Sequence, residues 1–216
     1  MHTIRHVFHQ TQAPLMNSTQ PWKRSFDVTL GLIILALLAP LFLIIAALVK
    51  ITSRGPVIFV QKRVGKNGAV FAIYKYRSMY IDAEARRAAL LAHSDREGIC
   101  FKSKNDPRIT PLGHWLRRLS LDELPQLLNV VKGDMSLVGP RPALPSEVAA
   151  YPARAMQRLS VLPGITGLWQ VSGRAEIGFD EMVELDIHYA RTGSLWIDLI
   201  ILLRTFKAVF SGRGAY

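Results

Sequence analysis

Apolar and polar positions follow three regimes along the chain. Residues 1–22 are polar, bear histidine and glutamine, and lack any apolar period, which predicts a flexible lead. From Val28 to Val49, 22 consecutive residues (VTLGLIILALLAPLFLIIAALV) carry no charge. As an α-helix this run extends roughly 33 Å, enough for a hydrocarbon core of about 30 Å. It exceeds a signal-peptide apolar region, and no small-x-small cleavage site follows, so residues 23–50 are expected to be a retained membrane anchor. Pro40 breaks the run near its middle by deleting a backbone donor. Lys23 and Arg24 precede the run, and Lys50 and Arg54 follow it. Basic flanks favour the cytoplasmic side, and a straight span satisfies that at one end only. A helix-break-helix that enters and leaves by one face satisfies both ends. A plain span with a tolerated proline is the alternative.

Past the anchor the chain reads as soluble, so residues 51–216 are expected to be a cytosolic catalytic domain with interfacial helices. VIFVQKR (57–63) and AVFAIYKYRSM (69–79) are rich in β-branched and aromatic residues around the VGKNG turn, predicting a β-hairpin. Helices are predicted over Ile81–Ala92, Leu112–Leu119, Ser146–Leu159, Phe179–Thr192 and Leu195–Phe210. Leu124, Leu127, Leu128 and Val131 form a further helical stripe, ended by Gly133. The last helix, SLWIDLIILLRTFKAVF, is interrupted by Asp198, Arg204 and Lys207, which suits an amphipathic interfacial helix rather than a span. No alternating βαβ series is visible. The expected class is α+β and mostly helical, with a re-entrant N-terminal anchor, a small hairpin and interfacial helices.

Composition narrows the partners. The chain has 216 residues, half of them hydrophobic, which excludes a disordered chain. The single cysteine, Cys100, excludes an internal disulfide framework and a Cys-rich zinc site. The net charge is +11: residues 1–80 hold ten basic residues against one acid, a net of +9, and the other 136 hold seventeen against fifteen, +2. Nucleic acid and anionic membrane both attract such a chain. The excess lies beside the apolar run, which favours anionic lipid headgroups. A basic, membrane-anchored helix-turn-helix in RRLSLDELPQLLNVVKGD is the rival, but its second helix lacks side chains for base edges.

The candidate chemistry centres on Asp122-Glu123 in SLDELPQLLNV. The structural reading is helix capping, either as a Ser120/Glu123 box or with Asp122 as N-cap. The functional reading uses an ionised aspartate as a nucleophile toward phosphorus and a neighbouring glutamate as an oxygen ligand for Mg²⁺. Arg108, Arg117 and Arg118 lie upstream, and Arg141 and Arg174 downstream. Arg141 sits between prolines in GPRP, which restricts where its guanidinium points, and arginine forks suit phosphate oxygens. The histidines lack metal-ligand spacing, and no P-loop or dinucleotide fingerprint occurs.

Taken together, KRSFDV, the proline-broken run, DPRITPLGHWLRRLSLDELPQLLNVVKGDMSLVGPRP, LPGITGLWQVSGR and the terminal SGRGAY resemble the bacterial sugar transferase family of monotopic phosphoglycosyl transferases. The match covers about Lys23 to Tyr216. The resemblance implies transfer of a sugar-1-phosphate from a UDP-sugar to undecaprenyl phosphate, with release of UMP, at the start of polysaccharide or glycoconjugate assembly. It implies Asp122 as nucleophile forming an aspartyl-phosphosugar, and Glu123 as Mg²⁺ ligand or proton handler, with Asp122 also near the metal. It implies Arg117, Arg141 and Arg174 as phosphate-binding groups and Pro40 as the re-entrant break, here preceded by Ala39 where many members have serine. It further implies a site on the cytoplasmic face of the bacterial inner membrane, among anionic lipids, feeding downstream glycosyltransferases. A homodimer is left open, and nucleic acid is not an expected partner. The SGRGAY ending is similar to members using hexose donors such as UDP-galactose or UDP-glucose.

Overall fold

The computed structural model describes residues 21–83, 85–86, 106–173 and 177–211. Helix α1 (Pro21–Leu37) and helix α2 (Ala39–Thr52) meet at a 64° bend. Pro40 lies in the first turn of α2, where a missing N–H breaks no intrahelical bond, so the proline starts a second helix rather than distorting one. Among the described residues no single helix is long and apolar enough to cross a membrane, but the bent pair passes that test together. Leu32, Ile33, Leu37, Leu43, Ile44, Leu48 and Ile51 are exposed on it.

Strands β1 (Ile58–Val64) and β2 (Val70–Tyr76) form the expected antiparallel hairpin, with Phe59 opposite Lys75. Helix α3 (Pro111–Arg118) begins on Thr110, whose hydroxyl accepts from the Gly113 amide at 2.9 Å. A Cβ at Gly113 would meet the Ser78 carbonyl oxygen at 2.0 Å, so glycine is what lets α3 lie against the segment after β2. A short 3₁₀ turn (Leu121–Glu123) leads into α4 (Gln126–Lys132), then β3 (Ser136–Val138). Helix α5 (Pro145–Ala149) and a 3₁₀ helix (Ala155–Ser160) precede β4 (Gly164–Thr166), which pairs parallel with β3. Helices α6 (Leu168–Ser172), α7 (Phe179–Thr192) and α8 (Leu195–Ser211) complete the chain.

The main core joins Ile73, Leu127, Val130, Met135, Leu137, Val138, Tyr189 and Ile201, so hairpin, α4, β3, α7 and α8 share one interior. Each such side chain stabilises the fold by about 1.5–3 kcal/mol. Asn129 binds the hairpin to α4: its amide donates to the Ala72 carbonyl at 2.7 Å and accepts from the Tyr74 amide at 3.1 Å. It occupies the free edge of β2 as a short strand would.

Several expectations are corrected. Residues 146–159 do not form one helix, because Pro152 separates α5 from the following 3₁₀ helix. The helix expected over Ile81–Ala92 falls mostly outside the described residues; of its first turns, residues 81–83, 85 and 86 are described, and the Arg86 amide donates to the Asp82 carbonyl at 3.2 Å. The apolar stripe on α4 is rotated: Leu128 is exposed, while Val130, Gln126 and Asn129 are buried. That burial also removes the helix-turn-helix reading, since the polar side chains of the would-be recognition helix point into the core. The parallel β3–β4 pair was not expected from the sequence. The lead was expected over 1–22, but Pro21 and Trp22 already belong to α1, and residues 1–20 lie outside the described residues.

The basic N-terminal third also does different work from that expected. Lys23 pairs with buried Asp198 at 2.6 Å. Arg24 donates to the Val130 and Val131 carbonyls at 2.5 and 2.7 Å, capping α4. Arg77 caps α2 through the Ser53 carbonyl at 2.7 Å. These charges tie the bent α1–α2 pair to α4, α8 and the segment after β2, while Lys50 and Arg54 stay exposed.

Candidate active site

Asp122 and Glu123 occupy the 3₁₀ turn between α3 and α4. Neither capping arrangement expected from the sequence forms. Ser120 adopts a left-handed conformation (φ 54°) and caps nothing, and α4 starts at Gln126, behind Pro125, without a side-chain cap. Local sequence favours capping, but the chain must reverse sharply at Ser120 to pack α4 under the hairpin, and that tertiary demand wins. The carboxylates are thereby free for other partners.

Glu123 takes two cations. Lys75, on β2, donates to its Oε1 at 2.6 Å, and Arg141 reaches the same oxygen at 3.3 Å. Asp122 is buried, yet among the described residues no hydrogen bond or ion pair engages its carboxylate. Burial pushes the Asp122 carboxyl up; Lys75, Arg117 and Arg141 pull it back in part, while the charge of Glu123 adds to the rise. Burial acts on Glu123 too, but Lys75 and Arg141 overcome it and hold the group down to about 2. Burial lowers Lys75, against the pull of Glu123. The two carboxylates are thus set apart, Glu123 held firmly ionised and Asp122 raised above the usual carboxylate range.

The arginines arrive from separate elements. Arg117, in the last turn of α3, acts electrostatically on both Asp122 and Asp106. Asp106 itself is filled by Arg108, whose Nη2 donates at 2.6 Å in a buried pair. Arg141 lies in the loop after β3. That loop is gripped by Arg63, which donates to the Pro142 carbonyl at 3.1 Å, and by Arg158, which donates to the Arg141 carbonyl at 3.2 Å. Close backbone packing fixes the loop's origin, since a Cβ on Gly164 would meet the Gly139 amide nitrogen at 2.1 Å. The prolines of GPRP are therefore only part of what orients Arg141.

Asp122, Glu123, Arg117 and Arg141 are brought together as expected from the sequence. Arg174 lies outside the described residues, as do residues 212–216 of the terminal motif. Lys75 was missed. Its signal was present: the strand period puts Lys75 on the same face as Ile73 and Arg77, both buried, and a lysine facing inward needs a partner. Arg63 and Arg158 were missed because only the fold brings them to the loop.

The site contains the donors a small hard cation needs. Among the described residues the Asp122 carboxylate is not engaged, and the bonds to Glu123 from Lys75 and Arg141 both fall on Oε1. Mg²⁺ commonly takes one or two carboxylates, with water and substrate phosphates completing its shell. Among the described residues no third His, Cys, Asp or Glu joins them. This pattern suits an ion that arrives with phosphate rather than one caged by protein alone.

Residues 18–212 match the model of the family described as bacterial sugar transferase. The chain belongs to the bacterial sugar transferase family. It is 48% identical over 197 residues to the galactosyl transferase CpsE of Streptococcus agalactiae, covering 89% of this chain and 43% of that protein. It is 41% identical over 198 residues to the exopolysaccharide production protein ExoY of Sinorhizobium fredii, covering 90% of this chain and 88% of that protein. It is 43% identical over 202 residues to the undecaprenyl-phosphate galactose phosphotransferase of Salmonella typhimurium, covering 90% and 41% respectively. The chain thus spans less than half of the Streptococcus and Salmonella relatives and most of the Sinorhizobium one. Its acidic dyad and arginines lie within the matched span.

Proposed function

We propose that this sugar transferase moves a sugar-1-phosphate from a UDP-sugar to undecaprenyl phosphate by way of an aspartyl-phosphosugar. The observation that carries the reading is Asp122: a buried carboxylate that no hydrogen bond or ion pair engages among the described residues, beside a glutamate clamped by Lys75 and Arg141. An unengaged carboxylate is available as a nucleophile, while a clamped one is not. The names of the relatives, which include an undecaprenyl-phosphate galactose phosphotransferase and an undecaprenyl-phosphate glucose phosphotransferase, support the same substrates.

In the first step an Asp122 oxygen attacks the β-phosphorus of the donor. The bond from that phosphorus to the bridging oxygen breaks, and UMP leaves with the oxygen. In the second step a phosphate oxygen of the lipid attacks the same phosphorus and returns Asp122 to its carboxylate. Arg117 and Arg141 spread the charge on the equatorial oxygens, and Lys75 keeps Glu123 oriented and ionised. Arg174 would add a third guanidinium. Bound at Asp122 and Glu123, Mg²⁺ would neutralise the diphosphate charge.

The bent α1–α2 pair acts in this reading as a re-entrant anchor that seats the domain on the cytoplasmic face of the inner membrane. The exposed apolar face of the pair, with Lys50 and Arg54 at its end, supports that seat. There a soluble donor and a lipid acceptor both reach the site. The product would feed the glycosyltransferases that extend exopolysaccharide or a related glycan.

The test is the identity of the nucleotide released across a panel of UDP-sugars in the presence of undecaprenyl phosphate. UMP supports sugar-phosphate transfer. UDP would mean ordinary glycosyl transfer and reject it. The panel also reads the sugar, with UDP-galactose and UDP-glucose the first expectations.

A further inference from the structure

Helix α8 has three faces. Asp198 and Ile201 are buried, while Trp196, Leu203 and Phe206 are strongly exposed. Between these faces lies a groove of about 160 Å³ against α6 and α7. Leu168, Ile197, Ile200 and Ile201 line its apolar part, and Arg204 and His188 stand at its polar part. Among the described residues no acidic side chain lines it. Arg204 is exposed and forms no ion pair among the described residues. Lys207, also exposed, follows one turn later. In the lining the Thr192 hydroxyl donates to the His188 carbonyl at 2.9 Å and lies 3.3 Å from the His188 ring.

An apolar trough ending in a cation matches a molecule with one anionic head and an apolar chain. The trough's size matters, because a dry cavity of about 150 Å³ accommodates a benzene-sized group. It therefore takes one short stretch of hydrocarbon rather than a long coiled chain. The exposed apolar face of α8 adjoins the trough, so its opening faces the same surroundings as Trp196 and Leu203.

We propose that this groove binds one anionic phospholipid of the bilayer, with part of an acyl chain on Ile197, Ile200 and Ile201 and the phosphate on Arg204. The proposal rests on the reading that α8 lies on the membrane surface. The bound lipid would hold α8 at a fixed depth, and α8 is tied to the anchor through the Lys23–Asp198 pair.

Native mass spectrometry of the full chain, delipidated in detergent and titrated with phosphatidylglycerol or phosphatidylcholine, tests this. One phosphatidylglycerol is expected to bind in preference to phosphatidylcholine. Arg204→Gln should weaken phosphatidylglycerol about 5-fold, as loss of one basic contact to an anionic lipid implies, and leave phosphatidylcholine unchanged. Ile200→Trp, which fills the trough, should remove the bound lipid whatever its head. Equal retention of the two lipids, or phosphatidylglycerol binding untouched by Arg204→Gln, overturns the proposal. So does displacement of the lipid one for one by undecaprenyl phosphate, which would make the groove a substrate site. UMP release is measured on the same samples. Absence of UMP from the unsubstituted protein defeats the transfer reading and leaves the lipid result standing on its own.

Discussion

Lys75 donates to Oε1 of Glu123 at 2.6 Å, and through that bond strand β2 reaches the turn that carries Asp122. The consequence is a dyad whose members differ in acidity. Glu123 is held down to about 2 by Lys75 and Arg141 despite its burial, and Asp122 is pushed up by burial. A nucleophilic Asp122 must be ionised, so the transfer rate should fall on the acid side as Asp122 takes a proton, while Glu123 stays charged. Lys75 and Arg141 both lower Asp122, so removing either raises it. Lys75→Met and Arg141→Ala should therefore move the acid limb of the pH–rate profile to higher pH. A limb that stays in place or moves down would contradict this coupling.

Arg141 is expected to act in the chemistry and not in anchoring. Arg141→Ala should lower the transfer rate by about 10²-fold, the scale for loss of one charge-stabilising donor, with sedimentation alongside membranes unchanged. Loss of membrane attachment with retained turnover in detergent would give Arg141 an anchoring role instead.

The pair between Lys23 and Asp198 makes a stability prediction. Asp198 is almost wholly buried and also accepts from the Tyr189 hydroxyl at 2.7 Å. Lys23→Met leaves that carboxylate without its cation and should cost about 3–5 kcal/mol in chemical denaturation. Adding Asp198→Leu should recover much of the loss, because two apolar groups need no counter-charge. A double variant as weak as the sum of its parts would show that the pair is not the source.

Topology is tested by labelling single cysteines placed at Thr3→Cys and Thr52→Cys in a Cys100→Ser background in intact cells. A re-entrant anchor leaves both sites on the cytoplasmic side and equally shielded from an impermeant reagent. Labelling of the two from opposite sides would make the bent pair a span.

Much of this was legible in the sequence because local patterns and tertiary demands agree. Thr110 before Pro111 starts α3, Gly133 at φ 98° ends α4, and β-branched runs around Asn67-Gly68 make the hairpin. Where they disagree the sequence misleads. Ser120 and Glu123 match a capping pattern, yet Ser120 spends its conformation on a left-handed turn instead. The three-residue strands β3 and β4 carry no period long enough to detect, and their pairing joins residues 28 positions apart in the chain, Ser136 and Gly164. Lys23 and Arg24 look like lipid-facing charges until Asp198 and the end of α4 are seen beside them. The arginines of the site were recognisable as a set, but the grip of Arg63 and Arg158 on the GPRP loop exists only in the folded chain.

The most direct test of the account is to supply the labelled UDP-sugar donor without undecaprenyl phosphate and map the adduct by peptide mass spectrometry. One sugar phosphate per chain is expected on Asp122, matched by an equal amount of UMP, and neither in Asp122→Asn. An adduct on another residue, or turnover to UDP with Asp122 unmodified, would contradict it.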